Sequence, residues 1–111
     1  MKRQLILKGK SVCPGVVVGR ARIVLNPLEH YDTFNGGEIL VVKRTTPDYF
    51  PLMVISTGMI GEVGGTLSHL AINAIELNKP TIVAVEGATT KIKDGMTIIL
   101  DATNGKVYRV F

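Results

Sequence analysis

The chain has 111 residues, of which 46% are hydrophobic and 20% charged, with a net charge of +4 and one cysteine. That length supports one domain with a real core, and the composition excludes a disordered chain. A single thiol forms no internal disulfide and no apolar run nears the ~18–20 residues of a membrane span, so a reduced, cytoplasmic setting is expected.

Residues 1–13 place basic side chains around Leu5-Ile6-Leu7, which predicts a short edge strand or lead-in before the Pro14-Gly15 turn. Cys13 has no histidine beside it to activate it and is expected as a small buried thiol. Val16 to Leu25 is β-rich, and its second half alternates Arg20 and Arg22 with Ala21 and Ile23. Residues 26–37 read as a loop, with His30 expected at the surface. Glu38 to Lys43 is an apolar run with charged ends, the pattern of a buried strand.

Thr45-Thr46-Pro47-Asp48 starts a helix, with Thr46 as N-cap and Pro47 in the first helical position, reaching about Ile55. Met59-Ile60-Gly61 is a short buried strand. From Ser68 or His69 to Leu77 the pattern is helical, with Leu70, Ala71, Ala74, Ile75 and Leu77 as its apolar surface. Asn78 suits a left-handed C-cap and Pro80 stops the helix. Thr81 to Val85 is a further buried strand, Glu86-Gly87-Ala88 a turn, and Lys91 to Gly95 a polar stretch. Thr97 to Leu100 and Lys106 to Val110 pair as a hairpin, with Asn104-Gly105 able to take positive φ. A helix set between buried strands predicts at least one parallel pair with a crossover, with antiparallel elements at both chain ends.

The thirteen Lys and Arg are scattered and come without an aromatic platform. They read as solvated strand faces and edges, which makes nucleic acid an unlikely partner; attraction to a phosphorylated substrate or an acidic protein is the second reading.

Chemistry concentrates in Gly64-Gly65-Thr66-Leu67-Ser68-His69, at a loop-to-helix junction. Unpaired N–H groups and the helix dipole make such a junction suit an anion. Gly64 and Gly65 let backbone approach a ligand, Thr66 and Ser68 offer hydroxyls, and His69 can serve as base, ligand or nucleophile. As a nucleophile it would place a phosphoryl group where the helix end stabilises it. A plain turn with His69 in a capping role explains the same residues. No second histidine or cysteine stands at metal-ligand spacing, so no metal site is expected.

Gly64, Gly65, Ser68, His69, Ala71, Ile72, Ala74 and Pro80 resemble the hallmark of the mobile, or swivelling, phosphohistidine domain of phosphoenolpyruvate-utilising enzymes. That family includes pyruvate phosphate dikinase, phosphoenolpyruvate synthase, enzyme I of the sugar phosphotransferase system and rifampicin phosphotransferase. Thr46-Pro47-Asp48, Pro14-Gly15, Gly19, Ala21, Asp94-Gly95, Asp101 and Gly105-Lys106-Val107 extend the resemblance over nearly the whole chain. It implies one domain over residues 1–111, an α/β fold of three layers (β/β/α) with a mixed sheet, and His69 as the phosphorylated residue. The phosphoryl group would lie against Gly64, Gly65, Thr66 and Ser68. The domain would bind no cofactor, taking phosphoryl from phosphoenolpyruvate or ATP through a partner. The partner would be a separately encoded ATP-grasp or phosphoenolpyruvate-barrel protein, leaving this chain as a stand-alone phosphotransferase component. Two positions depart from the pattern: Leu67 stands where threonine is usual and Ile75 where an arginine is usual. They motivate the alternative of a non-catalytic regulatory or interaction module with the same fold.

Overall fold

Alternating side chains along the central strands decide the layering. In the computed structural model, which describes residues 2–111, eight strands and three α-helices form among the described residues. The strands are β1 (Arg3–Lys8), β2 (Lys10–Cys13), β3 (Val16–Ile23), β4 (Ile39–Val42), β5 (Gly58–Gly61), β6 (Thr81–Val83), β7 (Thr97–Asp101) and β8 (Lys106–Val110). The helices are α1 (Phe50–Ile55), α2 (His69–Leu77) and α3 (Ala88–Lys91). All strands join one sheet, in the order β1-β8-β7-β3-β4-β5-β6-β2.

The chain bends this sheet into two layers at two places, the first within β3. Val16–Arg20 of β3 pairs antiparallel with β7, whereas Ala21–Ile23 pairs parallel with β4. Residues Arg3 to Cys13 do the same at the sheet ends: β1 pairs antiparallel with β8, and after Gly9 β2 pairs antiparallel with β6. The expected single edge strand is therefore two strands on opposite edges. Strands β4, β5 and β6 run parallel, as the buried apolar runs require.

On β4, Ile39 and Val41 face the other sheet layer, where they meet Ile98, Leu100 and Val107. Leu40 and Val42 face the opposite way, onto Leu52 and Met53 of α1 and Leu70 and Ala74 of α2. Ile60 and Met59 of β5 split in the same manner. The result is sheet on sheet on helices, with two apolar seams. Ile75, expected on the apolar surface of α2, does not pack into the second seam and is 58% exposed. Cys13 is buried there, its thiol turned to Asn78 Oδ1 at 3.8 Å.

Local chemistry accounts for the element ends. The segment after Thr46 opens as a 3-10 turn, Pro47–Tyr49, before α1, and the Thr46 hydroxyl caps nothing. Asn78 closes α2 in the left-handed conformation at φ 53°. β6 is shorter than the expected strand because Ala84 adopts φ 56°, which breaks the ladder. In the β7–β8 hairpin Gly105 alone of the Asn104-Gly105 pair takes positive φ, among the described residues. Asn104 instead binds Asp101 through its backbone and side-chain N–H groups. His30 is half-buried rather than on the surface, with Nδ1 enclosed and without a hydrogen-bond partner.

Helix α3 stands between the expected turn, which forms at Glu86-Gly87, and the polar stretch, which turns at Asp94-Gly95. Its four residues are too few for a helical period to show in the sequence. It is held from a distance: Glu62 Oε1 accepts from Thr89 N at 2.9 Å and from Thr89 Oγ1 at 2.8 Å. Ala88 and Ile92 anchor it in the seam between the sheets.

Closure of the sheet depends on a close backbone crossing, where Gly9 N donates to Gly105 O at 2.8 Å. A side chain at Gly105 would press on the Gly9 carbonyl and would also strain φ +69°. Gly105→Ala should therefore destabilise the fold by about 2 kcal/mol in denaturant unfolding. Gly36→Ala, where nothing lies within 4 Å, should leave stability nearly unchanged.

The bonds from the Thr89 backbone N–H and hydroxyl, with Lys43 nearby, hold the Glu62 carboxyl below its ordinary range. A carboxyl lowered in the folded state stabilises above its unfolded pKa, and that contribution disappears as pH falls through the folded value. Acidification below about pH 4.5 should thus loosen α3. Glu62→Gln should flatten this acid dependence when amide exchange of residues 88–92 is followed against pH.

Candidate active site

The parallel strands end on one edge, and the chain segments leaving them build the site. Past β4 and β5 the ladder runs on, Glu62 N donating to Val42 O and Val63 N to Lys43 O, each at 2.9 Å. The chain then turns at Gly64, whose φ of +122° suits glycine; a Cβ there would meet the Ser68 side chain at 3.1 Å. Ser68 stands at the N-cap of α2, and His69 is the helix's first residue.

The Ser68 hydroxyl is occupied on both sides. Its oxygen accepts from Ala71 N at 3.3 Å and its hydrogen goes to Gly65 O at 2.8 Å. This is helix capping joined to loop closure. It leaves Ser68 at the pocket wall with its hydrogen already used.

His69 is half-buried and contacted at both ring nitrogens. Thr45 Oγ1 lies 2.8 Å from Nδ1, reaching across from the segment after β4. Asn73 Nδ2, one turn along α2, lies 3.2 Å from Nε2 and also donates to the His69 carbonyl at 2.9 Å. An amide N–H donates, so Nε2 presents its lone pair to Asn73. With Nε2 as acceptor, the neutral ring carries its hydrogen on Nδ1 and gives it to Thr45 Oγ1.

A cavity of about 200 Å³ opens beside the ring, walled by Arg44, Thr45, Val63, Gly64, Ser68, His69 and Leu70. Of the residues expected around a phosphoryl group, Gly64 and Ser68 therefore line the cavity with His69. Gly65 and Thr66 lie outside this wall; Gly65 has nothing within 4 Å of a virtual Cβ, and Thr66 is exposed. Leu67, in the position where the family pattern has threonine, is 87% exposed.

Three neighbours of the ring escaped the sequence reading. Thr45 belongs to a segment whose proline and aspartate signal a helix start, and its approach to His69 depends on the β4–β5 pairing. Arg44 looked like one of the scattered cations for the same reason. Asn73 could have been found, since residues four apart on a helix face one another.

The family model for the mobile domain of PEP-utilising enzymes matches residues 34–105. The chain belongs to this family. It is 36% identical over 105 residues to phosphoenolpyruvate synthase of Aeropyrum pernix, a match covering 95% of this chain and 13% of that protein. It is 42% identical over 99 residues to rifampicin phosphotransferase of Bacillus subtilis, covering 89% of this chain and 11% of that one. A pyruvate kinase of Lactobacillus delbrueckii subsp. bulgaricus is 38% identical over 113 residues, covering 98% and 19%. The chain thus matches a segment of less than a fifth of each of these longer proteins. Among solved structures, Enzyme I aligns over 71% of this chain and 33% of its own with a TM-score of 0.60 and 27% identity. Aconitase X of Thermococcus kodakaraensis shares the fold over the full length of both chains, with a TM-score of 0.72 and 20% identity. No helix among the described residues is long and apolar enough to cross a membrane.

Because Ser68 acts as a cap, Ser68→Ala should cost about 1 kcal/mol of stability in thermal or urea unfolding. The Thr45–His69 contact should survive it, seen as unchanged His69 ring signals in the folded protein.

Proposed function

We propose that the chain carries a phosphoryl group on His69, relaying it between a nucleotide-binding module and a phosphoenolpyruvate- or pyruvate-binding module. The observation that carries this reading is the two-sided hold on the imidazole. Thr45 Oγ1 sits 2.8 Å from Nδ1, so Nε2 is left with the rotatable Asn73 amide at 3.2 Å. Nε2 is then the attacking atom. As the N–P bond forms, the donor's P–O bond breaks and its electron pair leaves on oxygen, as enolate or as the terminal oxygen of a nucleotide.

The ring becomes cationic while it holds the phosphoryl group, and its Nδ1–H stays on Thr45 Oγ1. Asn73 gives up Nε2 and its amide N–H turns to a phosphoryl oxygen, with the His69 carbonyl as its alternative partner. The N-terminal end of α2 and Arg44 supply positive potential on the same side. Return transfer reverses these steps. Membership of the mobile-domain family supports the relay, as does the presence of the matched segment within much longer phosphoenolpyruvate synthases.

Incubation with a phosphodonor enzyme of the family should add one phosphoryl group, acid-labile and base-stable, read by intact mass. His69→Ala should abolish it; equal labelling of that variant would remove His69 from the role. Thr45→Val should slow labelling about tenfold through loss of one hydrogen bond that orients the ring, and nitrogen NMR of the labelled ring should show Nε2 substituted.

A second reading is a non-catalytic interaction module. Its support is the exposure of Leu67 at 87% and Ile75 at 58%, where the family pattern carries threonine and arginine. Stable partner binding that ignores His69→Ala, with no labelling by any donor enzyme, would favour it.

A further inference from the structure

Beside the histidine cavity lies a larger groove of about 550 Å³, and Arg44 belongs to the walls of both. The groove adds Lys43, Thr46 and Asn26 as polar groups, and Leu25, Pro27 and Tyr49 as an apolar side. Among the described residues no carboxylate lines either space, and neither Lys43 nor Arg44 has an ion-pair partner. Glu62 is the acid whose charge interacts with Lys43, and its carboxylate is engaged by Thr89.

The neutral groups are also left with donors to give. Thr46 occupies an N-cap position without capping, so its hydroxyl is free. Asn26 uses its carbonyl oxygen to accept from Leu28 N at 3.2 Å, which leaves its amide N–H groups available. Tyr49 is different: its hydroxyl donates to Val24 O at 3.0 Å, so only the ring side faces the groove. Two like charges side by side repel until an anion neutralises both.

We propose that this groove, which shares Arg44 with the His69 cavity, is a second anion subsite that holds the part of a small phosphodonor or acceptor that is not transferred. The ligand class is a compact molecule with two anionic groups, a diphosphate or a phosphate with a carboxylate. One group points at His69, the other lies on Lys43 and Thr46, and an uncharged body rests on Leu25 and Pro27. Arg44 bridges the two anions and forks to both, as a guanidinium can. Its place in a transfer rests on the phosphoryl role proposed for His69; the binding itself does not.

The test is titration of the full chain with inorganic pyrophosphate and, separately, inorganic phosphate, followed by amide NMR. Pyrophosphate should bind more tightly, shifting residues 43–49 together with His69. Lys43→Gln and Arg44→Gln should each weaken pyrophosphate about tenfold, the loss of one charge-assisted contact. Thr46→Val should weaken it less, and Lys10→Gln, which removes an equal charge on β2, should leave it unchanged. Pyrophosphate binding no tighter than phosphate, or weakened as much by Lys10→Gln as by Lys43→Gln, would overturn the subsite. Displacement of pyrophosphate by phosphoenolpyruvate or by ADP supports it and tells a phosphate–carboxylate ligand from a nucleotide; displacement by neither refutes the donor assignment. Retained pyrophosphate binding in a chain that no enzyme phosphorylates would uphold the subsite and reject the relay.

Discussion

The hydrogen bond between Thr45 Oγ1 and His69 Nδ1 is the contact on which the site depends. It joins the segment leaving β4 to the first residue of α2, two pieces of chain 24 residues apart in sequence. A histidine at a helix start is otherwise free to turn about two side-chain bonds. Holding one nitrogen with a hydroxyl fixes the ring plane, and the Asn73 amide N–H at the other nitrogen decides which one bears hydrogen. The other nitrogen has only the Asn73 amide beside it, at 3.2 Å. Thr45 thus supplies by position what no charged neighbour supplies: a fixed ring orientation.

That contact exists because of the layering. Thr45 can reach His69 only if β4 and β5 run parallel and in register, so that the chain leaves both at one edge. The register is fixed by alternation: a slip of one residue would turn Ile39 and Val41 toward the helices and Leu40 and Val42 toward the second sheet. Both seams are apolar, so the penalty comes from shape rather than polarity. Met59, Leu52 and Leu70 fill the helix side, while Ile60, Ile82 and Ile98 fill the sheet side. The site is therefore a consequence of strand order, reached through packing that involves no polar group of the site.

How far this was legible in the sequence follows from which interactions are local. α2 could be placed to within one residue because its determinants are local: Ser68 at the N-cap, Asn78 at φ 53° and Pro80 beyond. The parallel strands showed themselves as unbroken apolar runs. The three-layer fold came from the ordered set of family motifs, not from periodicity. What escaped depended on distant contacts. α3 needs a carboxylate from Glu62, 27 residues away, and β1 and β2 separate only because Gly9 crosses Gly105. At the site, Ser68 and Gly64 could be expected near His69 from adjacency, but Thr45 and Arg44 arrive through the sheet. Thr66 and Gly65 were adjacent too, yet the loop carries them away from the cavity wall, because Ser68 N and Ser68 Oγ both bond to Gly65 O and fold the loop back on itself.

The charge pattern around the ring bears on how the proposed relay would work. A phosphoryl group must be held well enough to form and loosely enough to leave. Arg44 is exposed and has no ion-pair partner among the described residues, so water screens it and its attraction for phosphate is modest. Arg44 sits on a segment separate from α2, on the wall that the cavity and the groove share. Covering the site changes that balance. Leu67, Ile72 and Ile75 present apolar surface around the same helix. A partner module that docks on them would expel water and strengthen every charge–charge term at the ring. In the proposed relay, strong phosphoryl binding is then confined to the docked state, and the undocked carrier holds its cargo chiefly by the covalent N–P bond.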